Sequence, residues 1–240
     1  MKYLPIVIFA LSSLCVSAQA KELSVLNELR ENQSRPKPLL GPGSTITAYK
    51  PNTASDIKGS VYLFDTWYLG SKIYFENQED PVRIDGCNFN IKDEGFEMMY
   101  SGDSIFSINS AYVDKVLIAN KTFKKYIDPD LKTNLFFEEV YASDKMVLLK
   151  KYELDIKEGM VNQMTGNKLN PDKYVTKETY FVVEDQENPI LEETKLNKKL
   201  VNSLITEEDQ AKVKKYAKDK HLSYKEETDV RYILNYAKSI

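Results

Sequence analysis

The stretch Gly59–Tyr100, GSVYLFDTWYLGSKIYFENQEDPVRIDGCNFNIKDEGFEMMY, decides how the rest of the chain is read. It is dense in aromatic and β-branched residues and is punctuated by turn formers, the composition of successive short strands. Strands are predicted over 59–68, 72–76, 82–85, 87–92 and 95–100. Lys92-Asp93-Glu94-Gly95 reads as a reversal, and connections this short favour antiparallel hairpins over crossover units. Asp65 is the odd residue, a carboxylate inside the otherwise apolar run VYLFDTW. The aromatic group Tyr62, Phe64, Trp67, Tyr68, Tyr74 and Phe75 spreads over both faces of two neighbouring predicted strands. Part of it belongs to a core, and the remainder suits a binding surface, because tyrosine buries a ring while keeping its hydroxyl wet.

The same pattern extends outward on both sides. Further strands are predicted over 44–50, 104–109, 112–119, 135–142 and 145–154, with TKETYFVVEDQ returning to strand after the turn-rich loop 160–173. Ser101-Gly102-Asp103 and Asp144-Lys145 read as turns. In KMVLLKKYELDI, Val147 and Leu149 fall on one side and Met146 and Leu148 on the other, so this strand is apolar on both faces near its middle. No helical period intervenes to support the crossovers of a parallel sheet. After Pro189 the period changes. Leu191, Leu196, Leu200, Leu204 and Ile205 recur at helical intervals; Val213, Tyr216 and Ala217 form a weak stripe; Val230, Ile233, Leu234 and Ala237 form a clear one. Thr206 is the expected N-cap of the middle helix, and Ser223 with Glu226 the expected capping box of the last. Helices this short need packing partners. The fold class is therefore α+β: mainly an antiparallel β barrel or sandwich with a short C-terminal helical region. The divisions are 1–20, 21–43 (a lead-in helix and linker), 44–187 (the β domain) and 188–240 (the helical region).

Residues 1–20 read as a secretory signal peptide. Lys2 precedes an apolar run from Leu4 to Val16, and Ala18-Gln19-Ala20 supplies the small-x-small cleavage pattern before Lys21. The run is shorter than the ~20 residues needed to span lipid, so no transmembrane anchor is expected in the mature chain. Cys15 lies inside the run behind the bulky Leu14, unlike the lipidated cysteine of a lipoprotein signal. Export, to the periplasm or beyond the cell, is the expected localisation.

Cleavage leaves Cys87 and His221 as the lone cysteine and histidine. One of each cannot build an internal disulfide or the usual zinc site. A Cys87–His221 pair would still need an orienting group and oxyanion donors. Cys87 reads as a small buried hydrophobe and His221 as a capping or surface residue. No G-x-S-x-G elbow occurs, and GPGSTI at 41–46 lacks the lysine of a phosphate loop. DPDLKTNLFFEE at 128–139, which opens with Asp128 and Asp130, lacks the central glycine and spacing of a calcium loop. Carboxylates are the plentiful catalytic type: Asp65, Asp85, Asp93, Glu94 and Asp103. Most sit where turn chemistry explains them. The chain carries 33 Lys and Arg against 36 Asp and Glu, with no basic stripe, which disfavours a nucleic-acid partner. No catalytic, cofactor-binding or metal-binding residue is assigned, and no cofactor is expected.

GSVYLFDTWYLGSKIYF, FNIKDEGFEMMY, KMVLLKKYELD and the C-terminal EEDQAKVKKYAKDKHLSYKEETDVRYILNYAKSI together resemble a group of uncharacterised exported β-rich proteins of Bacteroidota. The resemblance implies a Gram-negative envelope or extracellular setting, makes Gly59, Gly70 and Gly95 turn or bulge residues, and transfers no catalytic residue. The expected function is a non-enzymatic binding or structural domain of the cell envelope, with an envelope protein, a glycan or an apolar small molecule as partner. The alternatives are a lipocalin-like carrier built on a closed barrel and a carboxylate-dependent glycan hydrolase.

Overall fold

Among the described residues, twelve strands form two antiparallel sheets. A computed structural model describes residues 57–240 except 77, 101–103, 144–145 and 187–188, together with the backbone of Ala48–Tyr49. The expected signal peptide (1–20), the expected lead-in helix and linker (21–43) and Asp103 lie outside the described residues. The strands are β1 (Ala48–Tyr49), β2 (Ser71–Phe75), β3 (Val82–Ile84), β4 (Cys87–Asn90), β5 (Gly95–Tyr100), β6 (Ser104–Ser107), β7 (Val113–Ile118), β8 (Lys121–Ile127), β9 (Asn134–Ala142), β10 (Val147–Lys157), β11 (Lys173–Val183) and β12 (Glu192–Thr194). The small sheet has the order β1-β6-β5-β4 and the large one β12-β11-β10-β9-β8-β7-β2-β3. Neither closes on itself, so of the two expected β architectures the sandwich is the one formed. Helices α1 (Lys198–Ser203), α2 (Glu207–Asp219) and α3 (Glu227–Ser239) follow.

The register across the large sheet explains its layering. Val82, Ile73, Val116, Phe123, Glu138, Lys150, Tyr180 and Thr194 are directly paired from strand to strand, forming one rung that crosses all eight strands on one face. The rung starts apolar, becomes ionic at its centre and ends polar. Its apolar end is covered by the small sheet: Phe89 and Phe96 bring their rings to 5.5 and 5.3 Å from Phe123. Its ionic end is covered by the helices, whose Leu200, Val201, Val213, Val230, Ile233 and Leu234 pack on Val140, Tyr141, Leu148 and Val182. The helices thus pack on the sheet. On the opposite face Phe137, Val147, Leu149, Phe181 and Val183 gather with Leu191. The two-sided burial expected of β10 holds, with Val147 and Leu149 on one face and Met146 and Leu148 on the other.

Several local expectations are corrected. Residues 59–68 form no strand. They form an irregular arch along the β4 edge of the small sheet, with β-bridges at Tyr62–Asn90 and Tyr68–Cys87. The buried Asn88 side chain explains this: its amide nitrogen donates to the Phe64 and Thr66 carbonyls (2.9 and 3.4 Å), and its oxygen accepts from the Phe64 N–H (3.3 Å). A side chain thereby satisfies backbone groups that a strand neighbour would otherwise have taken. β8, at Lys121–Ile127, was not expected, because KTFKKYI carries three lysines. β12 lies in a stretch expected to be helical. The box of Ser223 and Glu226 is not formed. Helix α3 starts later, with Glu226 as its N-cap, and the Ser223 N–H donates to Asp229 (2.8 Å). Thr206 is the N-cap of α2, but its hydroxyl donates to Asp209 (2.7 Å) instead of capping the backbone.

Candidate functional site

The centre of the rung gathers a buried polar cluster. β9 contributes Glu138, fully buried; β10 contributes Lys150 and Tyr152; β11 contributes Tyr180 and Glu178; β8 opens with Lys121; α3 lowers Glu227 and Arg231 onto them. Glu138 accepts from Lys121 with both oxygens (2.8 and 3.0 Å), from the Tyr152 hydroxyl and from the Arg231 guanidinium, and Lys150 stands 3.6 Å away. Glu227 accepts from Lys150 (2.5 Å), the Tyr180 hydroxyl (2.6 Å) and Arg231 Nε (2.8 Å). Glu178 lies 3.4 Å from Lys150. Three carboxylates meet three cations, so the cluster is neutral by itself.

The electrostatics follow from this geometry. Burial alone would raise the Glu227 carboxyl, but the hydrogen bonds from Lys150 and Tyr180, with the charges of Lys150 and Arg231, pull it down to about 2. Burial and the nearby carboxylates push the Tyr152 and Tyr180 phenols well above the ordinary tyrosine value, so both remain hydrogen-bond donors. Arg231 also donates to the Val140 carbonyl (3.3 Å), joining the helix directly to β9 backbone.

The mirror arrangement occupies the other face. Because successive strand residues alternate in direction, the doublets Glu138-Glu139 and Lys150-Lys151 each place one charge on either side. Glu139 accepts from the Tyr126 hydroxyl (2.8 Å) and pairs with Lys124 (3.0 Å). Lys151 pairs with Asp128 (2.7 Å) and Glu153 (3.1 Å). Asp128 is buried, yet its carboxyl lies below the ordinary value, because the Leu131 and Asp130 N–H groups and Lys151 outweigh desolvation. Its role is to close the turn between β8 and β9; only 128–133 of the stretch 128–139 is loop, and from Asn134 it is β9, with Phe136, Phe137 and Glu138 buried.

The residues singled out in the sequence are not brought together. Cys87 is buried on β4, and burial, offset in part by the Ser71 hydroxyl, pushes its thiol up to about 12, which keeps it protonated. His221 is exposed and left-handed (φ 56°) just past the end of α2, where its N–H donates to Lys218 and the next N–H, of Leu222, donates to Ala217. That is a Schellman ending, and it accounts for His221 as a cap. Asp65 is exposed on the arch. Asp85 accepts the Gly70 N–H (2.7 Å), fixing a left-handed turn (φ 70°). Asp93 accepts from Asn90 (2.9 Å), and Glu94, raised by burial, sits left-handed (φ 52°) at the expected reversal. The residues the sequence reading missed are Glu138, Lys150, Glu227 and Arg231. Their signal was present as FFEEV and VLLKKY, charged doublets inside two apolar strands joined by a short turn. Among the described residues no group of three or more His, Cys, Asp or Glu is disposed to hold a metal ion, and no helix is long and apolar enough to cross a membrane.

No family model matches the chain, and no curated protein or solved structure compared with it matches either.

Proposed function

We propose that the protein is exported and acts as a non-enzymatic binding or structural domain of the cell envelope. Export rests on the N-terminal Lys2, apolar run and Ala18-Gln19-Ala20 pattern. The observation that carries the non-enzymatic reading is the saturation of the Glu138–Lys150–Glu227–Arg231 cluster. Each of its carboxylates meets a cation of the same chain, and the whole is spent on holding α3 against the sheet.

That saturation also bears on the alternatives. A glycan hydrolase needs one carboxyl kept protonated near neutral pH, whereas Glu227 is held ionised. The lipocalin-like carrier rested on a closed barrel around an apolar cavity; the large sheet is open, and the face in question is filled by the small sheet and the helices. The test is chemical cross-linking in the cell envelope followed by recovery of the protein, with lipid and glycan analysis of what accompanies it. Reproducible recovery of a partner from the envelope fraction, with the chain starting at Lys21, is the expected result. Recovery from the cytosol with an intact N-terminus, or turnover of a glycan, overturns the proposal.

A further inference from the structure

The β10–β11 hairpin reaches beyond the body of the sheet. β10 pairs with β9 only over Val147–Lys150, whereas its pairing with β11 continues to Lys157. Lys151 and Tyr152 are still buried in the body of the sheet, so the part that extends as a ribbon is Glu153–Lys157, about 17 Å at ~3.3 Å per residue. The segment at Lys58 adds to its β11 side: the Lys58 N–H donates to Asp172 and the Tyr174 N–H to Lys58, both at 2.8 Å.

Two features of the end of this ribbon are costly in water. First, the connecting loop is ordered yet apolar on its outside. Its strand bridge at Val161–Lys168, the Leu169 N–H bond to Met160, and an Asn162 side chain that accepts the Met164 and Thr165 N–H groups fix it as a turn. This turn presents Met164 95%, Met160 65%, Leu169 61% and Val161 50% exposed. Between Gly159 and Pro171 it carries no acidic residue, and its one charge, Lys168, is paired with Asp172 (2.6 Å). Second, at the base of the turn Lys157 and Lys173 are directly paired on β10 and β11, and Lys58 bridges Lys173 from its other side. All three are exposed, and none has an ion-pair partner among the described residues. Like charges at directly paired positions repel.

A row of lysines beneath an acid-free apolar tip is matched by one kind of surface. We propose that the end of the β10–β11 ribbon inserts into an anionic lipid surface, with Met160, Val161, Met164 and Leu169 entering the headgroup–acyl boundary and Lys58, Lys157 and Lys173 at headgroup level. The complementarity is of charge and of shape: a membrane needs only a few inserted apolar side chains and a basic collar. A stable protein interface needs about 800 Å² from each partner, more than these four side chains expose. Insertion relieves both costs at once, wetting of the tip and repulsion within the lysine row.

The experiment uses the mature chain, Lys21–Ile240, with Met164→Cys, labelled at residue 164 with an environment-sensitive fluorophore. Cys87 is buried and protonated, so the label is directed to the tip. A second protein carries the label at Leu131→Cys, an exposed apolar position in the β8–β9 turn. The expected result is a blue shift at 164, and none at 131, on phosphatidylglycerol–phosphatidylethanolamine vesicles, with at least tenfold weaker binding to phosphatidylcholine. Lys58→Gln, Lys157→Gln and Lys173→Gln together should weaken the anionic-vesicle response on the order of 100-fold, given the attraction of each lysine near such a surface. The proposal is overturned by no shift at 164 on any vesicle, by an equal shift at 131, by an unchanged response of the triple variant, or by an equal response to soluble heparin.

Discussion

Glu138 has three donors on three elements: Lys121 at the start of β8, Tyr152 on β10 and Arg231 on α3 all donate to it, and Lys150, 3.6 Å away, adds its charge. A carboxylate that gathers its donors this way is a structural joint, and the residues with nominal reactivity are likewise absorbed into structure. His221 occupies a left-handed position, which costs a non-glycine residue roughly 1–2 kcal/mol. Glycine avoids that strain and loses part of the gain to its floppier unfolded chain. His221→Gly should therefore leave stability unchanged or raise it by up to about 1 kcal/mol, read from the urea midpoint. Cys87 should resist thiol reagents in the folded protein and react only on denaturation; native reaction at the rate of the unfolded chain would refute its burial. At this scale the sequence was informative about Cys87 as a small buried residue and His221 as a cap. It was silent on Glu138, because pairing between distant strands is decided by register, which a doublet such as FFEEV does not reveal by itself.

Helix α3 is joined to the sheet by two kinds of contact. Val230, Ile233 and Leu234 are buried in the shared core, each contributing roughly 1.5–3 kcal/mol. Glu227 and Arg231, one helical turn apart, bring charges of both signs to the same surface. Ile233→Ala should cost about 2–5 kcal/mol, as expected of a fully buried side chain. The pH dependence has a definite sign. Glu227 has its carboxyl lowered from the ordinary 4.5 to about 2 on folding, so its stabilisation is fully present above about pH 5 and is lost as pH falls toward 2. An acid titration of thermal stability should show that limb, and Glu227→Gln should flatten it. The apolar stripe of α3 was legible from its period alone. Its start was not: Asp229 bonds Ser223 from within the helix, where the sequence suggested a conventional box. The missing strand at 59–68 has a similar cause, since composition reports a liking for extended backbone but not that Asn88 takes the hydrogen bonds.

Across the whole molecule, the ionic centre of the rung lies between two apolar regions, one under the small sheet and one under the helices. The antiparallel β-rich class with terminal helices was readable from short strands and short connections; the sandwich was not separable from a barrel, because closure depends on twist and edge pairing across all eight strands. If the Glu138 cluster is a brace that makes sheet and helices one cooperative unit, its removal must weaken both together. Glu138→Gln leaves buried cations short of a partner, at an expected cost of about 3–5 kcal/mol. Functional carboxylates often behave oppositely, being held at the expense of stability. The most direct measurement is urea unfolding of Glu138→Gln, followed both by fluorescence of Trp67, the single tryptophan, on the arch along the edge of the small sheet, and by helical circular dichroism. The brace requires both transitions to move together to lower urea by that amount. A variant as stable as the parent or more so, or a helical transition that separates from the tryptophan transition, would contradict it.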